Sequence, residues 1–135
     1  MPTSIVIFGA TGDLTARKLV PSLYNLYLKG RLPEDARIFG AARRDWSDDH
    51  FREEMQQAIE TFEKEAYDAG SWAAFAQKLF YVRVDLDTPD DFAALKRTLE
   101  QHENGDAANR LYYLSVAPSH YADTAQALGE HGMTQ

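Results

Sequence analysis

The chain has 135 residues, of which 44% are hydrophobic, and it contains no cysteine. This length and composition predict one globular domain, and they exclude disulfides, thiolate metal ligands and a cysteine nucleophile. Because the chain lacks cysteine, we expect it in the reducing cytoplasm. The net charge of -7 disfavours nucleic acid as a partner, and no apolar stretch of about 20 residues could span a membrane.

Positive charge is concentrated in the first third of the chain. Residues 1–44 contain seven Lys or Arg against three Asp or Glu, whereas residues 45–135 contain seven against eighteen. The acidic total disfavours a polyanionic partner, but a small anionic ligand suits the basic first third.

The amino-terminal residues predict a buried strand followed by a glycine corner and a helix. Ile5 to Phe8 are consecutive apolar residues, which is typical of a strand, here Ser4–Gly9, that is covered on both faces. The corner Gly9-Ala10-Thr11-Gly12 breaks this run, and apolar residues then recur at helical spacing from Leu14 to Gly30. Pro21 marks either the start of the regular helix or a kink near its beginning.

The remaining elements alternate between strands and helices. Three further strands are predicted at Arg37–Ala42, Leu79–Val84 and Leu111–Val116. Four further helices are predicted: one from Asp48, capped by Ser47, towards Asp68 and stopped by Gly70; a shorter one capped by Ser71; one from Thr88-Pro89-Asp90-Asp91 to about His102; and one from Pro118 to about Gly132. This order predicts an α/β fold, Rossmann-like and doubly wound, with a mostly parallel sheet.

The acidic pairs and the histidines do not form a convincing catalytic or metal site. Asp48-Asp49 and Asp90-Asp91 stand at helix starts, where acids stabilise the helix dipole. Of the four histidines only His120 lies near a predicted strand end, and we interpret it as a helix-start residue. No pair has the spacing of metal ligands, so no metal is expected.

The glycine corner admits two interpretations. In a doubly wound sheet the first strand-to-helix turn is the usual phosphate site, because glycine lets the backbone approach a phosphate that the helix start attracts. The spacing Gly-x-x-Gly-x-x-Thr lacks two glycines of the usual dinucleotide pattern and is not a P-loop. A phosphate site and a tight turn without a ligand therefore both remain open here.

The end of the second strand favours the phosphate site. Arg43 and Arg44 follow this strand, at the place where NAD enzymes commonly carry an acid and where an arginine accommodates the 2′-phosphate of NADP. A guanidinium offers forked, permanently charged donors to a phosphate. Strand-end arginines are often merely solvated, but together with the corner this pair favours NADP over NAD.

Three stretches of the sequence resemble the glucose-6-phosphate dehydrogenase family, and together they cover almost the whole chain. FGATGDLTARKLVPSLYNL is similar to the family's N-terminal motif, FGAARRDW to its second-strand end, and NRLYYLSVAPSHYADTAQAL to its fourth strand and following helix. Thr15 replaces a common alanine of the first motif. The positions of that motif that are in register are Gly9, Gly12, Asp13, Leu14, Lys18 and Pro21.

The resemblance implies a set of coenzyme-binding residues. Those around the pyrophosphate would be Gly9, Ala10, Thr11, Gly12, Asp13, Leu14, Thr15 and Ala16. Arg43 would meet the 2′-phosphate with Arg44 beside it, and Asp85 and Leu86 would lie along the adenosine. The nicotinamide side would be lined by Ser115, Val116 and Ala117, and Lys18 would point towards the sugar phosphate.

The resemblance also implies a reaction of the pentose phosphate pathway. The family oxidises the C1 hydroxyl of glucose 6-phosphate to 6-phosphogluconolactone by hydride transfer to NADP⁺, with a histidine base assisted by an aspartate. Its Arg-Ile-Asp-His-Tyr-Leu and Glu-Lys-Pro-Phe-Gly segments do not occur in these 135 residues. We therefore interpret residues 1–135 as a single NADP-binding domain, an inactive N-terminal fragment of a longer homo-oligomeric enzyme that stops before strand five and lacks the substrate and dimerisation domain.

Two other functions remain open. One is a non-enzymatic NADP-binding sensor that controls a partner. The other is a protein like the short-chain reductases, whose Tyr-x-x-x-Lys pair is missing here, since Leu28 and Ala117 stand four residues after Tyr24 and Tyr113.

Overall fold

The computed structural model of the chain describes residues 3–10, 12, 15–85, 88–103 and 109–114. Its elements in chain order are β1 (Thr3–Phe8), a π-helical turn (Thr15–Leu19), α1 (Val20–Leu28), β2 (Ala36–Ala42), α2 (Asp48–Phe62), α3 (Ala69–Ala76), β3 (Leu79–Arg83), α4 (Pro89–Glu103) and β4 (Asn109–Leu114). The four predicted strands are confirmed, with bounds that agree to within two residues where the structure describes them, and the predicted end of the fourth strand at Val116 lies outside the described residues. The predicted helix at 118–132 lies outside the described residues.

The four strands form one parallel sheet in the order β3-β2-β1-β4. This is the order of the first four strands of a doubly wound dinucleotide-binding sheet, so the predicted fold class is confirmed. Phe8 at the end of β1 pairs with Ala41 of β2 and with Leu114 of β4. The carboxyl ends of these three strands therefore meet at one edge of the sheet.

The sheet is covered on both faces, as the continuous apolar run of β1 predicts. Ile5 and Ile7 point to one face and Val6 and Phe8 to the other, and all four are buried. The first face packs against α1, α2 and α3 through Val20, Leu23, Tyr24, Phe51, Met55, Ile59, Trp72 and Phe75. The second face packs against α4 through Phe92, Leu95 and Leu99.

The regular α-helix after the corner begins at Val20, directly after the π-helical turn. Pro21 lies in its first turn, a position at which helices tolerate proline. Of the two roles open for Pro21, the structure shows the helix start.

The predicted extent of the second helix is wrong. α2 ends at Phe62 instead of near Asp68, because the chain turns at Glu63, whose carbonyl accepts from the Ala66 and Tyr67 N–H groups. The predicted Ser71 cap is also wrong: Asp68 caps α3, and its side chain accepts from the Ser71 N–H. The Tyr24 hydroxyl, which lies on α1, holds this loop through the Asp68 N–H.

A largely buried ion pair joins α4 to the amino-terminal ends of β1 and β4. The Arg110 guanidinium donates to both carboxylate oxygens of Glu103, at 2.7 and 3.0 Å, and the Ser4 hydroxyl donates to the same carboxylate at 2.9 Å. Ser4 and Arg110 are partners in the β1–β4 register. This cluster therefore fixes how α4 and β4 dock on the central strand, at the edge opposite the glycine corner.

His102 makes the stability of the domain sensitive to acid. Its ring packs on Phe80 and Phe39, with centroids 4.4 and 5.2 Å apart. Burial lowers the pKa of His102 from its ordinary value of 6.5, the charge of Arg37 lowers it further, and that of Asp48 opposes both. His102 therefore takes up a proton more readily in the unfolded chain than in the folded one. Its neutral, packed ring contributes fully to the free energy of unfolding above pH 6.5, and this contribution is lost as the pH falls below that value.

We expect the His102→Phe variant to lose part of this acid sensitivity, because a phenyl ring keeps the packing and cannot be protonated. Urea unfolding at about pH 7.5 and about pH 5 measures the effect as the difference in unfolding free energy between the two conditions. That difference is expected to be smaller in the variant than in the unmodified protein. An identical difference in both proteins contradicts the assignment to His102.

None of the helices in the described ranges has the length and apolar character required to cross a membrane.

Candidate coenzyme site

The glycine corner is a tight turn built on hydrogen bonds to backbone carbonyls. Gly9 has a φ of 77°, a conformation that favours glycine. Its carbonyl accepts from the Gly12 N–H at 2.9 Å and from the Thr15 hydroxyl at 3.3 Å. Thr15 is fully buried, so the residue that replaces the family's common alanine ties the π-helical turn to the corner.

The local geometry favours glycine at Gly12 as well. A Cβ at Gly12 would lie 3.1 Å from the Gly9 carbonyl oxygen, tighter than ordinary van der Waals contact. The corner is therefore built without side chains at its two ends, directly before a helix, and this is the form of a phosphate cradle.

The ends of β1 and β2 bring the corner next to the arginine pair. The Ala41 carbonyl accepts from the Gly9 N–H at 2.9 Å and from the Ala10 N–H at 3.3 Å, and Arg43 follows only two residues later. Both Arg43 and Arg44 are exposed. Among the described residues neither guanidinium takes part in a salt bridge, so the positive charge of the pair is available to an anion.

We name residues 42–44 the arginine turn. Its three successive carbonyls all accept hydrogen bonds. The Ala42 carbonyl accepts from the Val84 N–H at 2.8 Å, and the Arg43 carbonyl accepts from Nε of Arg83 at 3.0 Å. The Arg44 carbonyl accepts from the Trp46 N–H at 3.0 Å and from the Tyr81 hydroxyl at 2.6 Å. The backbone of the turn is fixed while its two cationic side chains are exposed.

The structure places the other predicted site residues as follows. Lys18 is exposed on the π-helical turn that follows the corner, and Ala16 donates its N–H to the Gly12 carbonyl at 3.4 Å. Asp85 follows β3, the strand on the far side of β2 from the corner. The predicted residues outside the described ranges are Thr11, Asp13, Leu14, Leu86, Ser115, Val116 and Ala117.

Two of the acids at helix starts bind backbone N–H groups. Oδ1 of Asp48 accepts from the Tyr81 N–H at 2.6 Å, and Oδ2 of Asp91 accepts from the Asp85 N–H at 2.8 Å. These bonds hold α2 and α4 against β3 and its end. Both carboxylates thus have structural partners at the positions where the sequence indicates helix-start residues.

Gly40 supports the site and was not predicted to do so. A Cβ at Gly40 would lie 2.7 Å from Cζ of Phe51 and 2.9 Å from Cβ of Ala10. This glycine in the middle of β2 therefore lets the corner and α2 approach the sheet closely. A lone glycine inside a predicted strand is the sequence signal for such an approach.

We expect Gly40→Ala to destabilise the fold by about 1–3 kcal/mol, because the added methyl group forces the packed Phe51 ring and the corner apart. The variant Gly70→Ala is the matched control. Among the described residues, its Cβ would meet Oδ2 of Asp68 at 3.5 Å, an ordinary contact. Alanine is also the better helix former, so stability is expected to hold or rise by up to about 1 kcal/mol. Urea unfolding measures both, and equal stabilities would contradict the close approach at Gly40.

A groove of about 640 Å³ lies between α2 and α3, apart from the corner. Asp49, Glu53 and Glu60 line it together with Arg52 and several glutamines. The excess of carboxylates makes this groove unfavourable for an anionic coenzyme. In the described part of the chain no group of three or more His, Asp or Glu side chains is placed to hold a metal ion.

Sequence comparisons identify relatives of this chain. The family described as "Glucose-6-phosphate dehydrogenase, NAD binding domain" matches residues 6–135. Glucose-6-phosphate 1-dehydrogenase of Chlamydia pneumoniae is 43% identical over 96% of this chain and 26% of its own length. The enzyme of that name from Aggregatibacter actinomycetemcomitans is 42% identical over 97% of this chain and 26% of its own length.

Solved structures agree with this relationship. A glucose-6-phosphate dehydrogenase in complex with its substrate glucose 6-phosphate superposes with a TM-score of 0.87 and is 32% identical, over 96% of this chain and 27% of that one. Glucose-6-phosphate 1-dehydrogenase from Mycobacterium avium gives a TM-score of 0.86 at 25% identity, over 100% of this chain and 28% of that one. The chain thus spans about a quarter of the length of the relatives that it matches. Sequence and fold together show that the chain belongs to the glucose-6-phosphate dehydrogenase family, in its NAD binding domain.

Proposed function

We propose that residues 1–135 act as one coenzyme-binding domain, that the coenzyme is NADP, and that the domain serves an oxidoreductase that oxidises glucose 6-phosphate to 6-phosphogluconolactone. Membership of the family supports a nicotinamide dinucleotide as the ligand. The observation that carries the proposal is that the glycine corner and the arginine turn meet at one edge of the sheet, where the Ala41 carbonyl binds the N–H groups of Gly9 and Ala10.

The described residues divide the binding of NADP between backbone and side chains. The corner from Gly9 to Gly12 would hold the pyrophosphate, because it offers close backbone approach and precedes a helix start. Arg43, with Arg44 beside it, would bind the 2′-phosphate through forked, charged hydrogen bonds. When bound, NADP⁺ supplies the hydride acceptor of the oxidation.

In this proposal the residues of this chain bind and orient the coenzyme. The base that removes the hydroxyl proton of the sugar phosphate is proposed to belong to segments beyond residue 135. Of the described histidines, His102 of α4 packs against Phe39 and Phe80, and His50 of α2 lies against Trp46. Neither belongs to the corner or to the arginine turn. Lys18, exposed beside the corner, is the described residue proposed to approach the sugar phosphate. The homo-oligomer and the cytoplasmic location expected from the sequence stay predictions.

The melting temperature of the protein, measured with the adenosine part of NADP or of NAD present, tests the proposed coenzyme specificity. The 2′,5′-bisphosphate of adenosine carries the 2′-phosphate of NADP, and adenosine 5′-phosphate lacks it. A ligand that binds only the folded protein raises the melting temperature, and more so when it binds tightly. We expect a larger shift from the bisphosphate at equal concentration. Equal shifts would overturn the assignment of the arginine turn, and no shift from either ligand or from NADP⁺ would overturn coenzyme binding altogether.

A further inference from the structure

Tyr81 connects β3 to the arginine turn of β2. Its side chain is 8% exposed, although it ends in a polar hydroxyl. The ring packs on those of Phe51 and Trp46, with centroids 5.6 and 5.8 Å apart. Its own backbone N–H donates to Oδ1 of Asp48 at 2.6 Å. The phenol is therefore fixed from three sides: by its strand, by α2 and by the loop that carries Trp46.

The hydroxyl of Tyr81 faces two carbonyls of the arginine turn. It lies 2.6 Å from the Arg44 oxygen and 3.1 Å from the Ala42 oxygen. One hydroxyl donates one hydrogen, and the Ala42 oxygen already accepts from the Val84 N–H at 2.8 Å. The shorter distance lies within the usual range of a strong O–H···O bond. The hydrogen therefore points to the Arg44 carbonyl.

The hydroxyl keeps this hydrogen at neutral pH. Burial raises the pKa of Tyr81 to about 12, against the opposing charges of Arg44 and Arg83, and Asp45 raises it as well. A phenol with this pKa remains a hydrogen-bond donor at neutral pH. The bond to Arg44 is thus a permanent part of the turn.

We propose that Tyr81 is a positioning residue for the 2′-phosphate, which acts by fixing the Arg44 carbonyl and so the directions in which Arg43 and Arg44 project. This inference rests on the proposed NADP specificity of the arginine turn. Without the hydroxyl, the last carbonyl of the turn keeps only the Trp46 N–H as a described partner. The two guanidinium groups then sample more orientations, and their forked hydrogen bonds to a phosphate form less often.

The consequence is specific to the coenzyme that carries the phosphate. NAD⁺ lacks the 2′-phosphate, so its affinity does not depend on where the guanidinium groups point. A role of Tyr81 in folding alone would lower stability and would leave the ratio of the two affinities unchanged. The ratio of NADP⁺ to NAD⁺ affinity is therefore the diagnostic quantity.

Calorimetric titration of both coenzymes into the unmodified protein, Tyr81→Phe and Tyr24→Phe tests the proposal. Tyr24 is the matched control, because it is a fully buried tyrosine of the same core whose hydroxyl binds the loop before α3, at the Ala66 carbonyl and the Asp68 N–H. We expect Tyr81→Phe to lower the ratio about fivefold, the order of one hydrogen bond between neutral groups. Tyr24→Phe is expected to leave it unchanged, and unfolding midpoints of both variants are measured in parallel.

The outcomes separate this inference from the proposed function. If the unmodified protein binds NADP⁺ and NAD⁺ equally well, the proposed coenzyme specificity fails and the role of Tyr81 fails with it. If the unmodified protein prefers NADP⁺ and Tyr81→Phe keeps the full preference, the role of Tyr81 is overturned and the specificity stands. An equal fall of the ratio in both variants would also overturn it, because the effect would then come from general loosening of the core.

Discussion

Replacing Arg43 by alanine is expected to weaken NADP⁺ binding roughly a hundredfold and to leave NAD⁺ binding within about twofold. Hydrogen bonds to charged groups are worth about 1.5–3 kcal/mol each, and a guanidinium that binds a phosphate with two of its N–H groups loses both on truncation. Arg43 is exposed and directly follows β2, whose end lies beside the glycine corner, so the variant is expected to fold normally.

Arg97→Ala is the matched control for this prediction. Arg97 is also an exposed arginine, but it lies on α4, which packs on the other face of the sheet. Its removal changes the net charge of the chain by the same amount, so both coenzymes are expected to bind as in the unmodified protein at equal ionic strength. An equal loss of NADP⁺ and NAD⁺ affinity in Arg43→Ala would show that Arg43 does not read the 2′-phosphate.

Replacing Glu103 by alanine is expected to destabilise the domain by about 3 kcal/mol or more. The side chains of Arg110 and Glu103 are 14% and 4% exposed, and the carboxylate holds the guanidinium with two bonds. The hydrogen bond from Arg110 to Glu103 also raises the pKa of that guanidinium, so the arginine stays charged. Removing one member of a buried pair leaves the other charge without compensation, and this costs about 3–5 kcal/mol.

Urea unfolding of three variants separates this effect from a general loss of helix stability. Glu100→Ala removes an exposed acid of the same helix and is expected to change stability by less than about 0.5 kcal/mol. The double variant Glu103→Leu/Arg110→Leu is expected to be more stable than Glu103→Ala, because no charge is left buried. A loss below about 1 kcal/mol in Glu103→Ala would contradict the account of the pair. The cluster lies at the edge opposite the corner, so coenzyme affinity of the folded variant is expected to be unchanged.

The strands follow from the sequence because their signal is local. Ile5 to Phe8 are apolar without alternation, and burial on both faces of a parallel sheet requires that pattern. The end of α2 does not follow in this way. The chain turns at Glu63, and the loop that follows is held at Asp68 by Tyr24 from 44 residues away. The sequence between Phe62 and Gly70 contains no proline that would stop the helix.

The candidate site likewise has parts that the sequence predicts and a part that it does not. The corner and the arginine turn each follow a predicted strand, so parallel pairing brings them to one edge without further information. The support from Tyr81 was not predictable. It depends on the register that pairs Ala42 with Arg83 and so sets β3 beside the turn, and a tyrosine inside a strand carries no sign of which carbonyl it will meet.

Equilibrium titration of the unmodified protein with NADP⁺ and with NAD⁺, at one ionic strength, tests the central claim most directly. The glycine corner serves both coenzymes, and only the 2′-phosphate distinguishes them at Arg43 and Arg44. We predict that NADP⁺ binds at least about tenfold more tightly, which corresponds to about 1.4 kcal/mol. Equal affinities, or tighter binding of NAD⁺, would contradict the claim that these two arginines form a 2′-phosphate site.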